Sequence, residues 1–533
     1  MQKEFVSSLV NLIAYSQLLC SPYTSLGSPV TTVVFPRMLE ERSDSGELIV
    51  AIRSGQTLAL RKTSVFPERL EVATLEDNRT TFHYMNGSGM EKNLYHDPQA
   101  GAAVMVTRGR GLRLVGILSP TERIQPSPVS GYHPSGSIKH EILPLEQRKS
   151  DDDISLDTRL EGSDQYLRST LSDLPNETET KVPEARSRPS PYPVIATCET
   201  RIAVDSEFFR SFRNDQRELV EYLAVLVAFT NSKFSTFLDT TLRFQMIVTG
   251  IVILYYSEER FIKKPWNDSS VMLSDTLGSL NSYVNNKHIF RDDDAVVLIT
   301  GLDLAVNYGA HRAPGKSIAG YAHIGTACSR NKAAIVEDMP RTFSSAHTMA
   351  HEIAHLVGSV HDGSTNKHST VNMSLCPPSE NKIMSPLAGT YKWQEFSYCS
   401  TVQVAQFILI GEGKCLQANL ATRYTRYTKQ LTFNEVKKTR PSLDEFCTRH
   451  YTEYRGTSYM ESGIERLSLG KCMITCTDPK RRNIVIIEDA PDGTGCRKSS
   501  PHAICINGKC THVNGIRDQT FGYDVKSSVV YLR

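Results

Sequence analysis

The stretch HEIAHLVGSVHDG, residues 351–363, decides how the rest of this 533-residue chain is read. It closes a helix that the sequence pattern starts near Ser344 and carries to about Val357. Residues four apart on a helix project from the same face, so His351 and His355 stand one turn apart, side by side. Two imidazoles so placed can grip one zinc ion, and Glu352 then sits where a carboxylate can take a proton from water at that ion. Gly358 falls three residues past His355, where a left-handed residue can end the helix and turn the chain. That turn swings His361 toward the same point as a third ligand. Three protein ligands leave one position open, which is what separates catalytic from structural zinc. HExxH alone also fits an ordinary helix with two exposed histidines. The extension through Gly358, His361, Asp362 and Gly363 argues against that reading.

Working outward, Asn381-Lys-Ile-Met384-Ser-Pro386 places a methionine 23 residues past His361. Its spacing fits a tight turn that sets a methionine under the ligands. Upstream, the texture alternates between strands and helices, the pattern of an α/β layer. Residues 194–204 (VIATCETRIAV), 244–256, 295–301 (AVVLITG), 317–324 (SIAGYAHI) and 333–336 read as five strands, and 218–230 (ELVEYLAVLVAFT), 274–285 and 344–357 as three helices. His347, one turn before His351, reads as a supporting or surface residue, because three histidines plus water already complete the zinc shell.

These residues resemble the metzincins, whose long zinc motif and methionine turn match His351–Asp362 and Met384. The aspartate after the third histidine resembles the adamalysin (reprolysin) branch, which includes snake-venom metalloproteases, ADAM and ADAMTS enzymes. No tyrosine follows Met384 where astacins and serralysins carry one. The resemblance covers residues 192–418 and implies an α/β metzincin catalytic domain with a five-stranded mixed sheet, helices and a zinc cleft. It further implies Glu352 as catalytic base, His351, His355 and His361 as zinc ligands, Met384 in the methionine turn, and Gly358 and Asp362 as supports of the ligand turn. Cys328 resembles the family cysteine after the edge strand and Cys415 its partner; Cys376 and Cys399 resemble a second bridge. Glu199, with Asp293 or Asp294, falls where the family places calcium ligands, but Ala418 stands where a third, an asparagine, belongs, with Asn419 next.

The flanks read differently. Residues 21–145 carry short alternating runs (ELIVAIR, TLALRKT, AAVMVTR, LRLVGIL) and form a β-rich prosegment. Residues 146–191 turn polar and charged and read as a disordered linker. Arg186-Ser-Arg188 within it is either a basic cleavage site or a solvated charge run. VVFPRMLEERS and NLYHD resemble prosegments of the secreted salivary metalloproteases of ticks. Beyond a linker at 419–440, residues 441–513 form a small cysteine-rich domain, followed by a C-terminal tail at 514–533. DGTGC-x8-CINGKC (492–510) resembles the cysteine-rich region of ADAMTS enzymes.

Of 12 cysteines only Cys20 precedes Cys198, and six lie between Cys447 and Cys510. Dense, irregular cysteines read as disulfides in an oxidising compartment. Cys472 and Cys476 form CxxxC without a second pair at zinc-ribbon spacing. The six should close on themselves as three bridges, in any of 15 connectivities. Phe5–Leu19 fits either a signal-peptide core or a plain amphipathic helix, and the cysteines favour a signal peptide over residues 1–20. Sequons at Asn78, Asn86, Asn176, Asn267 and Asn372 agree with a secreted glycoprotein. A net charge of +2 offers no electrostatic case for nucleic acid, and the longest internal apolar run (246–256) is too short to span a membrane.

The chain therefore reads as a secreted zinc metalloendopeptidase made as a zymogen, acting on extracellular proteins. Zinc is its cofactor, calcium a second candidate, and oligomeric state is not readable. The competing reading is a binding protein acting mainly through its cysteine-rich tail. Residues 21–191 contain no cysteine, so a prosegment thiolate cannot silence the metal. A carboxylate, an imidazole or steric cover remains, with Asp97 a candidate for the first. Cys198 is left over, as a buried free thiol, an intermolecular partner or part of an altered bridge.

Overall fold

The computed structural model describes residues 31–145 except 43–45, 78, 110 and 129–136; 193–417 except 239–240, 309–317, 365–370 and 387–394; and, with more breaks, 428–432 and 442–532. The expected signal peptide, the linker with Arg186 and Arg188, Asn78, Asn176, Ala418 and Asn419 lie outside the described residues.

One ten-stranded sheet organises the molecule. Its strands are β1 (Arg69–Glu76), β2 (Arg79–Asn86), β3 (Val194–Val204), β4 (Leu242–Leu254), β5 (Ala295–Thr300), β6 (Gly320–Ala322), β7 (Ala333–Glu337), β8 (Ser458–Tyr459), β9 (Met473–Thr477) and β10 (Ile484–Asp489). They lie in the order β6-β7-β5-β3-β4-β1-β2-β10-β9-β8. The first five are the mixed sheet expected of residues 192–418: β7, β5, β3 and β4 run parallel, and β6 is antiparallel at the edge. β3 spans the expected residues. β6 is shorter than expected, three residues instead of eight.

The helices are α1 (Gln216–Phe234), α2 (Thr276–Asn286), α3 (Ala346–Leu356) and α4 (Tyr398–Leu409). Asp215 caps α1, its carboxylate accepting from the amides of Arg217 and Glu218. Tyr222 through Thr230 are all buried. A helix apolar all round must be covered on every side. The catalytic sheet and α3 cover one side, and strands Leu94–Asp97, Ala102–Arg108 and Leu112–Ser119 of the N-terminal region cover the other.

Those three strands belong to a separate nine-stranded sheet within residues 32–144. Ala102–Arg108 shows how it serves two cores. Ala102, Val104 and Val106 face its own interior, while Ala103 and Met105 join the core around α1.

The sheet's other half is what the domain reading did not anticipate. The β1–β2 hairpin of the N-terminal region pairs in parallel with β4, and β10 of the cysteine-rich region pairs in parallel with β2. In β1, Leu70 and Val72 enter one core layer while Ala73 and Leu75 enter the other. Burial on both faces is the mark of a central strand. The three regions therefore share one sheet. Thr428–Thr432, inside the expected linker, pairs with Thr520–Asp524, inside the expected tail.

The cysteine-rich region holds Cys447–Cys476, Cys472–Cys505 and Cys496–Cys510, all internal to it. Cys328 pairs with Cys415 and Cys376 with Cys399. Cys198 is free and buried, and burial holds its thiol well above the ordinary value. Of the described sequons, Asn267 and Asn372 are exposed, while Asn86 caps a short helix by accepting from the Gly89 amide.

Candidate metal centre

α3 carries His351 and His355 on one face, and Val357 ends it. Gly358 follows at φ +98°, a conformation only glycine adopts freely, and a Cβ there would also meet the Phe407 side chain at 2.8–3.3 Å. The reversed chain brings His361 back over the helix. Its Nε2 lies 3.1 Å from His351 Nε2 and 3.2 Å from His355 Nε2. Zinc–nitrogen bonds of 2.0–2.1 Å in a tetrahedron set such nitrogens ~3.3 Å apart, so the donor set fits zinc.

The far nitrogens of two rings are already committed. His351 Nδ1 donates to the Ile383 carbonyl and His355 Nδ1 to the Ser359 carbonyl, each at 2.8 Å. Each bond fixes the tautomer that turns the unprotonated Nε2 toward the point shared with His361. All three rings are buried.

The methionine turn supports this arrangement from below. Met384 is fully buried, in the same core cluster as Met349, Ala350 and Ile353. Asp362 donates its amide to the Met384 carbonyl at 2.8 Å and accepts from Ser397 Oγ at 2.6 Å. It thereby ties the third histidine to both the methionine turn and the start of α4. His347 is buried, not on the surface, and stands apart from the three-histidine group.

Glu352 lies against the edge strand. A Cβ on Gly320 would sit 2.9 Å from Glu352 Oε1 and 2.6 Å from Thr348 Cγ2. The edge strand therefore passes close over the carboxylate only because residue 320 lacks a side chain. Sequence reading did not single out this glycine; its place inside a short strand, where glycine signals close approach, was the available clue.

The acidic group behaves otherwise. Asp293 accepts from Arg201 Nε at 2.7 Å and Thr249 Oγ1 at 2.5 Å. Asp294 accepts from the Glu199 amide, and burial pushes its carboxyl up to about 6. The Lys332 ammonium donates to the Asp293 carbonyl. Asp293, one of two options for a calcium ligand, is thus taken by a guanidinium. The remaining pair, Glu199 and Asp294, falls well short of the six to eight oxygens that calcium takes. Among the described residues this set does not fit calcium.

Asp97 is likewise occupied within the N-terminal region. Its carboxylate accepts from the amides of Ala59, Gln99 and Ala100, closing a turn. That network, which a sequence cannot display, removes it as an inhibitory group.

A mixed sheet, a histidine-bearing helix, a reversed third ligand and a methionine turn beneath define a metzincin-type metalloprotease domain. Residues 198–419 match the Reprolysin (M12B) family of zinc metalloproteases. Over 62% of its length the chain is 27% identical to a Bombyx mori protein, "A disintegrin and metalloproteinase with thrombospondin motifs like", spanning about half (47%) of that protein. It is 25% identical to the venom metalloproteinase BumaMPs1 of Olivierus martensii, over 54% of this chain and 68% of that one. It is also 25% identical to a venom metalloproteinase, antarease-like TtrivMP_A, of Tityus trivittatus, over 60% of this chain and 78% of that one. Among the described residues no helix is long and apolar enough to cross a membrane.

Proposed function

We propose that the protein is a secreted zinc-dependent endopeptidase made as a zymogen, hydrolysing peptide bonds of extracellular proteins. The carrying observation is the convergence of three Nε2 atoms, with the far nitrogens of His351 and His355 tied to carbonyls and Glu352 next to His351 along α3. His351, His355 and His361 hold the ion, which when bound supplies Lewis acidity to a peptide carbonyl and lowers the pKa of water. Glu352 accepts the proton of the attacking water and delivers it to the leaving amine. Among the described residues β6 is the last strand at its end of the sheet, and addition of an extended substrate backbone there suits proteins generally. Five disulfides support an oxidising destination.

The deciding experiment uses Glu352→Gln in a casein zymogram with metal analysis. Zinc content should stay at one per chain while peptide hydrolysis falls by at least about 10²-fold, the scale of general-base catalysis. Undiminished hydrolysis would remove Glu352 as the base. Absence of chelator-sensitive hydrolysis in the matured wild type would favour a tail-directed binding protein.

A further inference from the structure

We propose that the N-terminal region remains in place after the chain is cut, as a noncovalent subunit that holds the cysteine-rich region onto the metalloprotease domain. This rests on the reading that maturation cuts the chain between residues 146 and 191.

The sheet order is the first reason. Within the sheet, among the described residues, β10 connects to the metalloprotease strands through β2 and β1. Losing the hairpin would open the edges of β4 and β10 together. Exposed edges with unpaired backbone groups are aggregation-prone, and bare β4 would present the apolar run Ile251–Leu254.

A polar lane across five strands is the second. Arg201 of β3 is in register with Gly250 of β4, and Gly250 with Glu71 of β1. In-register neighbours point to the same face. Gly250 has no side chain, and a Cβ there would lie 2.5 Å from Arg201 Nη1. Arg201 therefore passes over β4 and donates to Glu71 Oε1 at 2.7 Å, while its Nε holds Asp293. The line continues in register through Tyr84 of β2 to Glu488 of β10. Tyr84 donates to Glu71 at 2.9 Å, and Arg69 lies 3.9 Å over the Tyr84 ring and pairs with Glu488 at 3.0 Å. Withdrawing the hairpin strips a buried arginine of one of its two carboxylates.

Helix α1 is the third. Departure of strands Leu94–Ser119 would expose the second face of Tyr222–Thr230, an apolar patch of a kind soluble proteins seldom show. Retention is also compatible with an open cleft. β1 stands five strand positions from β6, roughly 24 Å at ~4.8 Å per strand.

The test uses the full chain carrying Glu352→Gln, which prevents self-digestion, with a site-specific protease sequence replacing residues 166–172 and a C-terminal tag. After cutting, both fragments should co-elute one-to-one on gel filtration in native buffer and follow the tag, separating only in denaturant. Elution of the N-terminal fragment alone in native buffer overturns the proposal. In the cut protein, Glu71→Lys should speed release about tenfold or more, as expected for breaking a buried charge pair. An unchanged release rate in a variant with native circular dichroism would overturn the role of the lane. Arg69→Glu should raise amide exchange in 484–489 but not in 295–300; equal change or none would overturn the hairpin's hold on the cysteine-rich region. None of these readouts involves hydrolysis, so they stand or fall apart from the protease reading.

Discussion

Two clusters of ligand-type side chains lie within one domain and meet opposite fates. His351, His355 and His361 turn three nitrogens toward one point, and the far nitrogens of the first two are used up elsewhere. Glu199, Asp293 and Asp294 are as well buried, yet Arg201 and Thr249 claim both carboxylate oxygens of Asp293, a backbone amide claims one of Asp294, and Lys332 holds the Asp293 backbone carbonyl. A metal site is thus made less by the density of ligand residues than by how their donor atoms are aimed. The chain supplies its own cations to the acidic cluster, through Arg201 and Lys332.

The most severe way to break this contrast is His361→Ala. Zinc affinity should fall by more than about 10²-fold, beyond the 10–100-fold that an outer hydrogen-bond partner is worth. Metal content matching wild type would place the third ligand elsewhere. Asp362→Ala, by comparison, should keep zinc but cost about 1–3 kcal/mol in urea unfolding, by stranding Ser397 and loosening the turn.

Gly320→Val separates the metal from the base. The added side chain displaces Glu352 while leaving the histidines untouched, so kcat should drop by about 10-fold or more with zinc content unchanged. Normal kcat would mean that the edge strand yields without disturbing Glu352.

Calcium should do almost nothing. With zinc saturated, millimolar calcium should leave the melting temperature within about 1 °C, since a ligand without a site adds no linkage energy. A rise of several degrees would show that Arg201 and Lys332 can be displaced. The smallest effect concerns Cys198: mercurials should neither activate the uncut chain nor label it quickly, because the thiol is buried and held protonated.

What was legible followed local rules. The three histidines announce themselves as candidate zinc ligands because helical spacing and a glycine turn act over a dozen residues. β3 was bounded residue for residue by the segment VIATCETRIAV. α1, apolar on every side, already implied a second cover, though not its source. The shared sheet was hidden because parallel strands from distant segments leave no turn between them to read. Its one local trace was Gly250, set in the middle of the strand MIVTGIVIL, where a missing side chain marks something passing close by. The acidic cluster misled for a related reason: Arg201 is 92 positions from Asp293, so no spacing rule connects them.

The pairing of β2 with β10 also bears on how the chain is made. Arg69 and Glu488, which meet across it, are 419 positions apart. Contacts so distant give a high contact order, and chains of that kind fold slowly and leave strands exposed while they wait. The hairpin leaves the ribosome before either of its neighbours has been synthesised. It then serves as the template on which first β4 and, much later, β10 dock. Truncations that begin near residue 192 should therefore yield aggregated protein even though every catalytic side chain is present, because the missing residues include the assembly's scaffold.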